Sequence, residues 1–187
     1  MHFRILDLTS DRPDFVNGAA ALLHNAFRHR THDWQDLDSA REEVLESLNE
    51  GRISRVAVDE SLRVLGWIGA LPMYSGHVWE IHPLVVGAEH RRQGIGRALV
   101  RDLETIVSAK GALTLWAGSD DENNETSLSA VDLYEDLPGA IRDVRNFSGH
   151  PYEFYVRLGF KIVGVIPDAN GAGKPDIFLA KRVTRAG

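Results

Sequence analysis

Residues 78–111, VWEIHPLVVGAEHRRQGIGRALVRDLETIVSAKG, constrain the fold more than any other stretch, because a strand runs through a basic, glycine-rich loop into a helix. Val78, Glu80, His82, Leu84 and Val86 alternate with Trp79, Ile81 and Val85, which predicts a strand with the first set on one face. Ile95, Leu99, Leu103, Ile106 and Val107 recur at helical spacing, and Lys110 with Gly111 supplies a basic last turn and a C′ glycine. Between strand and helix lies Arg91-Arg92-Gln93-Gly94-Ile95-Gly96, followed by Arg97. A side-chain-poor loop at a helix N-terminus leaves backbone N–H groups aimed at one point, and the helix dipole favours negative charge there. Two glycines let a bulky anion approach, and three arginines add countercharge. The chemistry is that of a diphosphate cradle.

The cradle is not one of the common nucleotide loops. Gly94-x-Gly96-x-x-Leu99 lacks the third glycine of the dinucleotide fingerprint, no parallel βαβ repeat opens the chain, and no Gly-Lys-Ser/Thr closes a Walker A loop. Leu84-x-Val86 followed by Arg91-x-x-Gly94-x-Gly96 instead resembles the acetyl-CoA motif of the GCN5-related N-acetyltransferase (GNAT) superfamily. That resemblance implies an α+β fold, an α/β/α sandwich whose mixed, mostly antiparallel sheet has its central strands splayed around acetyl-CoA. It places the cofactor on Leu84, Val85, Val86, Arg91, Arg92, Gln93, Gly94, Ile95, Gly96 and Arg97. Pro83 fits the picture: it cannot donate to a ladder, so pairing is lost on one side through a bulge or a splay. In the superfamily the pantetheine arm enters such a gap.

Composition narrows the classes further. The 187 residues suffice for one domain, 1–187, with its own core, and no repeat or linker argues for a second. There is no cysteine, which excludes a thiol nucleophile and cysteine zinc sites. A net charge of −6 argues against nucleic acid as the main partner and suits a cationic one. No apolar run reaches membrane-spanning length and the N-terminus has no apolar signal core, so a cytoplasmic, membrane-free protein is expected. His29-x-x-His32 lacks a third ligand at motif spacing, and no metal site is expected. A homodimer is left open.

Around the central unit, strands are predicted at 3–8, 55–58, 63–71, 112–117, 161–166 and 176–181. A helix follows Ser10 or Asp11, with Phe15, Ala19, Leu22, Leu23, Ala26 and Phe27 as its buried stripe. Ser39-x-x-Glu42 has the form of a capping box opening a second helix. Pro138, Ile141 and Val144 point to a short helix within a long connection, 152–158 to another, and 170–175 to a glycine-rich hairpin loop.

Acetyl transfer from a thioester to an amine needs a neutral amine, donors for the oxyanion, and a proton for the leaving thiolate. Glu80 and His82, about 7 Å apart by strand rise, are expected to point the same way as Leu84 and Val86. By resemblance, a catalytic glutamate of the superfamily aligns with Glu80 and an acidic substrate ligand with His82. An aspartate after the fifth strand aligns with Asp120. Each of the three is a candidate base. Tyr155-Val-Arg-Leu-Gly159-Phe160 resembles the segment whose tyrosine protonates the thiolate, and the N–H near Val85 or Val86 is the oxyanion candidate.

From Asp120 to Asp136 there are seven acids, and no Lys or Arg occurs between Ser119 and Ile141. An earlier loop adds Asp33, Trp34, Asp36 and Asp38. Such acids would attract a polycation, or form a solvated acidic loop. Trp79–Val86, Ser119-Asp120-Asp121, His150–Tyr155 and 165–177 resemble one branch of bacterial aminoglycoside 6′-N-acetyltransferases, over most of residues 78–181. The resemblance implies acetylation of the 6′-amine of an aminoglycoside, conferring antibiotic resistance, with Asp33, Trp34, Asp36, Glu80, Asp120, Asp121 and Glu122 facing the drug. A polyamine or peptide amine is the rival substrate, and a non-catalytic acetyl-CoA-binding module the rival class.

Overall fold

The computed structural model describes residues 2–27 and 34–183. They cluster into two compact units, one from the stretch up to Leu113 together with Val183 and one spanning Thr114–Arg182. The first contains β1 (Arg4–Asp7), α1 (Pro13–Phe27), α2 (Leu37–Glu46), β2 (Ile53–Val58), β3 (Val64–Met73), β4 (Val78–Val86) and α3 (Ile95–Ala109). Its strands form an antiparallel meander in chain order. On one face Phe15, Val16, Ala19 and Leu23 of α1 and Ala40 and Val44 of α2 pack with Val56, Val58, Trp67 and Val85. Fully burying each of the larger of these side chains contributes about 1.5–3 kcal/mol. The other face takes the apolar stripe of α3, Ile95, Leu99, Leu103 and Val107. Arg55 on β2 ties that helix down through Asp102, Nε to Oδ2 at 2.7 Å, and also pairs with Asp7.

β4 departs from simple alternation. Leu84 pairs with Ile68 and Ile81 with Ala70, so Gly69 alone stands opposite His82 and Pro83. This is a bulge, and it re-phases the strand. Trp79 and Ile81 thereby join Leu84 and Val86 on the α3 face, whereas Glu80, paired with Leu71, lies on the face of Trp67 and Val85. The expected common face for Glu80, His82, Leu84 and Val86 is therefore corrected. Only glycine fits at position 69, since a Cβ there would collide with the His82 carbonyl. The His82–Pro83 peptide is cis.

The start of α2 also differs from expectation. Asp36, not Ser39, is the N-cap: its Oδ1 accepts the Ser39 N–H at 2.7 Å, and the Ser39 hydroxyl donates back to the Asp36 carbonyl at 3.0 Å. The aspartate reaches the N3 amide that would otherwise have no partner.

The second unit holds β5 (Thr114–Asp120), α4 (Leu137–Arg142), α5 (Tyr152–Arg157), β6 (Lys161–Ile166) and β7 (Asp176–Arg182), with β7 central and antiparallel to both neighbours. β5 runs three residues beyond its expected end, so Asp120 is the last residue of the strand, paired with Asp176. The 170–175 segment is a hairpin loop, closed by Lys174 N–H to Gly171 O at 2.9 Å and Asn170 N–H to Lys174 O at 3.0 Å. Among the described residues no helix is long and apolar enough to cross a membrane.

Candidate active site

The first unit presents the candidate anion cradle. β4 ends at Val86, a short turn carries Arg91 to Gln93 out to solvent, and Gly94 caps α3 with φ +88°. L side chains rarely adopt that backbone conformation, and no side chain occupies the cap, so the first-turn N–H groups face outward. Arg91 is steered by its Nε–H toward the Val86 carbonyl (3.4 Å), and Gln93 donates to the Glu89 carbonyl at 3.0 Å. Arg91, Arg92 and Arg97 are exposed. The arrangement fits a diphosphate: bare backbone donors, a positive dipole end and exposed countercharge.

On the other face of β4, Glu80 is half-buried, and burial pushes its carboxyl above the ordinary glutamate range while His82 pulls it partly back. The His82 Nε2 lies 3.7 Å from Glu43 Oε1 of α2, and its ring sits 6.0 Å from that of Trp34. Trp34 packs edge-on against Phe27 at 5.1 Å, and its carbonyl meets His24 Nδ1 at 3.1 Å. Beside it, Trp34, Gln35, Asp36, Ser39, Glu42, Glu43 and Glu46 line an open cavity of about 430 Å³. Of the early loop, Trp34 and Asp36 reach this cavity, Asp36 with one oxygen already used as the cap; Asp33 lies outside the described residues.

In the second unit Asp120 is exposed, and its Oδ1 accepts from the Asn170 side-chain amide at 2.5 Å. Asp121 behaves differently. It is fully buried and accepts from the N–H of Glu125 at 2.7 Å, the N–H of Thr126 at 2.8 Å and the Ser129 hydroxyl. Burial alone would raise its carboxyl; the donors outweigh that and hold it below the usual range. Asp121 thus organises the loop after β5, with its carboxylate turned into that loop rather than to solvent. Glu125 is buried too, Asp132 accepts the Tyr134 N–H at 2.9 Å, and Asp136 caps α4 by accepting the Gly139 N–H at 2.9 Å. Glu122 is partly buried beside them.

Tyr155 is buried on α5 between Phe154 and Phe160, ring centroids 5.2 and 5.4 Å away. Burial pushes its phenol far above the ordinary tyrosine value, so the group is neutral and able to donate across the physiological range. Asp121, Glu125 and His150 bring ligand-type atoms within 4.8 Å of one another. The donors on Asp121 and the bonds to both ring nitrogens of His150 knit these residues into a polar core.

The acetyltransferase (GNAT) family model matches residues 19–137. The chain belongs to the GNAT family. A crystal structure of an aminoglycoside 6′-N-acetyltransferase complexed with coenzyme A is 40% identical, with a TM-score of 0.91 over 98% of this chain and 99% of that one. The aminoglycoside 6′-N-acetyltransferase from Enterococcus faecium is 38% identical, with a TM-score of 0.89 over 98% and 99% of the two chains. No curated protein matches the sequence significantly. The GNAT fold and an acetyl-CoA-dependent N-acetyltransferase activity follow from these similarities.

For a GNAT enzyme, three residues of this chain went unmarked in the sequence. Glu43 touches His82, Asn170 holds Asp120, and His150 is tied into the polar core. Each acts through a tertiary contact that local spacing does not encode. His150-Pro151-Tyr152 carried the one usable signal, a histidine two residues before a helix amide it can cap.

Proposed function

We propose that this chain is one catalytic domain that transfers the acetyl group of acetyl-CoA to the 6′-amine of an aminoglycoside by direct attack in a ternary complex. The carrying observation is the near-complete coverage, at 40% and 38% identity, of two aminoglycoside 6′-N-acetyltransferases. Acetyl-CoA supplies an activated thioester, its diphosphate held by Arg91–Arg97 and the α3 amides, its arm along Leu84–Val86. Trp34, Asp36, Asp120 and Glu122, with Asp33, attract and orient the ammonium groups of the drug.

Glu80 takes the proton of the attacking amine, for which a half-buried carboxyl of raised pKa is suited. His82 adjusts that carboxyl by its charge. The amine nitrogen bonds to the thioester carbon, the oxyanion meets the N–H near Val85 or Val86, and the carbon–sulfur bond breaks. Tyr155 gives its phenolic proton to the departing thiolate. With no cysteine in the chain, no acyl-thiol relay is available. CoA release measured with kanamycin, tobramycin, spermidine and a lysine peptide tests the proposal: turnover confined to the first two is expected, and turnover of the peptide or spermidine alone would replace the substrate class.

A further inference from the structure

His150 is 1% exposed, and both of its ring nitrogens are engaged. Its Nδ1 accepts the Tyr152 backbone N–H at 3.2 Å, and its Nε2 lies 3.0 Å from the Asp120 carbonyl. The first bond requires Nδ1 to be unprotonated, so the proton sits on Nε2 and is donated to Asp120. One imidazole therefore fastens the last residue of β5 to the first residue of α5. Its own backbone is fixed in turn: the Asn146 side chain accepts the N–H of Gly149 at 2.9 Å and of His150 at 2.8 Å, and donates to the His150 carbonyl at 3.0 Å. The rings of His150 and Tyr152 pack 5.7 Å apart.

Pro151, at the N-cap of α5, offers no side-chain cap. The histidine amide bond to Tyr152 stands in for it, and it fixes the helix that carries Tyr155 three residues further on. The other ring nitrogen fixes the backbone from which the Asp120 carboxylate projects, while the Asn170 amide donates to that carboxylate. We propose that His150 is a positioning residue that sets Asp120 and Tyr155 by its two ring nitrogens separately; the inference rests on the acetyl-transfer reading above for the roles of those two residues. Solvating or repacking either contact lets one partner drift while the other stays, which matters because a displacement of about 1 Å from productive geometry is enough to cost rate.

The two ends can be cut one at a time. In His150→Asn the amide oxygen replaces Nδ1 and keeps the Tyr152 bond, but nothing reaches Asp120. In His150→Gln the amide nitrogen replaces Nε2 and keeps the Asp120 bond, but the Tyr152 amide loses its acceptor. Each is combined with Asp120→Asn and with Tyr155→Phe, and kcat and KM are measured for tobramycin and acetyl-CoA. In His150→Asn, Asp120→Asn should cost at least about threefold less than in the wild type, with the Tyr155→Phe cost unchanged; in His150→Gln the pattern should reverse. Equal costs in all three folded backgrounds would overturn the assignment. Should the variants not fold, NMR of the wild-type enzyme decides: an Nε2-protonated tautomer with a slowly exchanging Tyr152 amide supports the clamp, and an Nδ1-protonated ring contradicts it. Absence of turnover with every aminoglycoside would sink the substrate reading and leave the NMR measurement to judge His150.

Discussion

The arginine loop before α3 and the acidic segment after β5 are both charged, exposed-looking stretches of sequence, yet the fold uses their charges in opposite ways. In 91–97 the three arginines stay in solvent and the backbone is left open: Gly94 turns the chain at φ +88° and no side chain caps the helix amides. In 120–136 the carboxylates themselves are consumed. Asp121 gathers three donors, Asp136 caps α4, Asp132 closes a turn and Glu125 is buried. The first region leaves its helix cap without a side-chain partner, and most of the second uses its carboxylates to hold its own loop in place. Asp120 and Glu135 stay at the surface, Asp120 with its carboxylate held by the Asn170 amide.

The largest effect should come from the chemistry carried by the second unit. Tyr155→Phe should lower kcat by about 10²-fold, with KM for the drug little changed, because a general acid acts in the transition state. A loss below about threefold, with chemistry rate-limiting, would make Tyr155 a packing residue and leave that unit with a mainly structural part.

Next in size is the cradle. Gly94→Val should weaken acetyl-CoA binding by about tenfold while the fold survives, since a left-handed residue becomes strained by about 1–2 kcal/mol and a side chain enters the approach path. Calorimetric titration of acetyl-CoA against the folded variant checks this. Unchanged affinity would mean that the backbone is not what receives the anion.

The acids can then be split among themselves. Asp121→Asn should cost about 2 kcal/mol of stability, because an amide cannot satisfy donors on both oxygens. Asp132→Asn with Glu135→Gln should leave stability within about 0.5 kcal/mol and flatten the salt dependence of the drug KM. Because the Asp121 carboxyl is depressed in the folded state, its contribution is fully present above the ordinary carboxyl range, about pH 4, and is lost as pH falls through the lower folded value. Chemical denaturation of wild type and Asp121→Asn across that range should therefore converge at low pH; parallel curves would remove the buried carboxylate from the account.

The smallest effect is a shift in pH dependence. Glu80 is raised by burial and lowered by His82, so the acid limb of kcat/KM should sit above the ordinary glutamate value, and His82→Asn should move it further up. A limb that stays put in His82→Asn would separate the two residues.

Much of the first region was legible because its determinants are local. Helical periodicity, two glycines and three arginines name a cradle without any tertiary contact, and Pro83 announced a break in β4. Its consequence for phase was not legible: the one-residue mismatch at Gly69 decides that Glu80 faces α1 and α2 rather than Leu84. Composition could not sort the acids either, since a carboxylate that accepts a backbone N–H and one that meets solvent are the same letter. Glu43 beside His82 and His150 between Asp120 and Tyr152 are meetings of residues far apart in sequence, set only once the chain has folded.

Neomycin and paromomycin differ only in bearing an amine or a hydroxyl at the 6′ position, so CoA release with this pair tests the central assignment most directly. Steady turnover of neomycin is expected, with the acetyl group on the 6′ nitrogen by mass spectrometric fragmentation, and no turnover of paromomycin. Acetylation of paromomycin at a comparable rate would contradict the assignment.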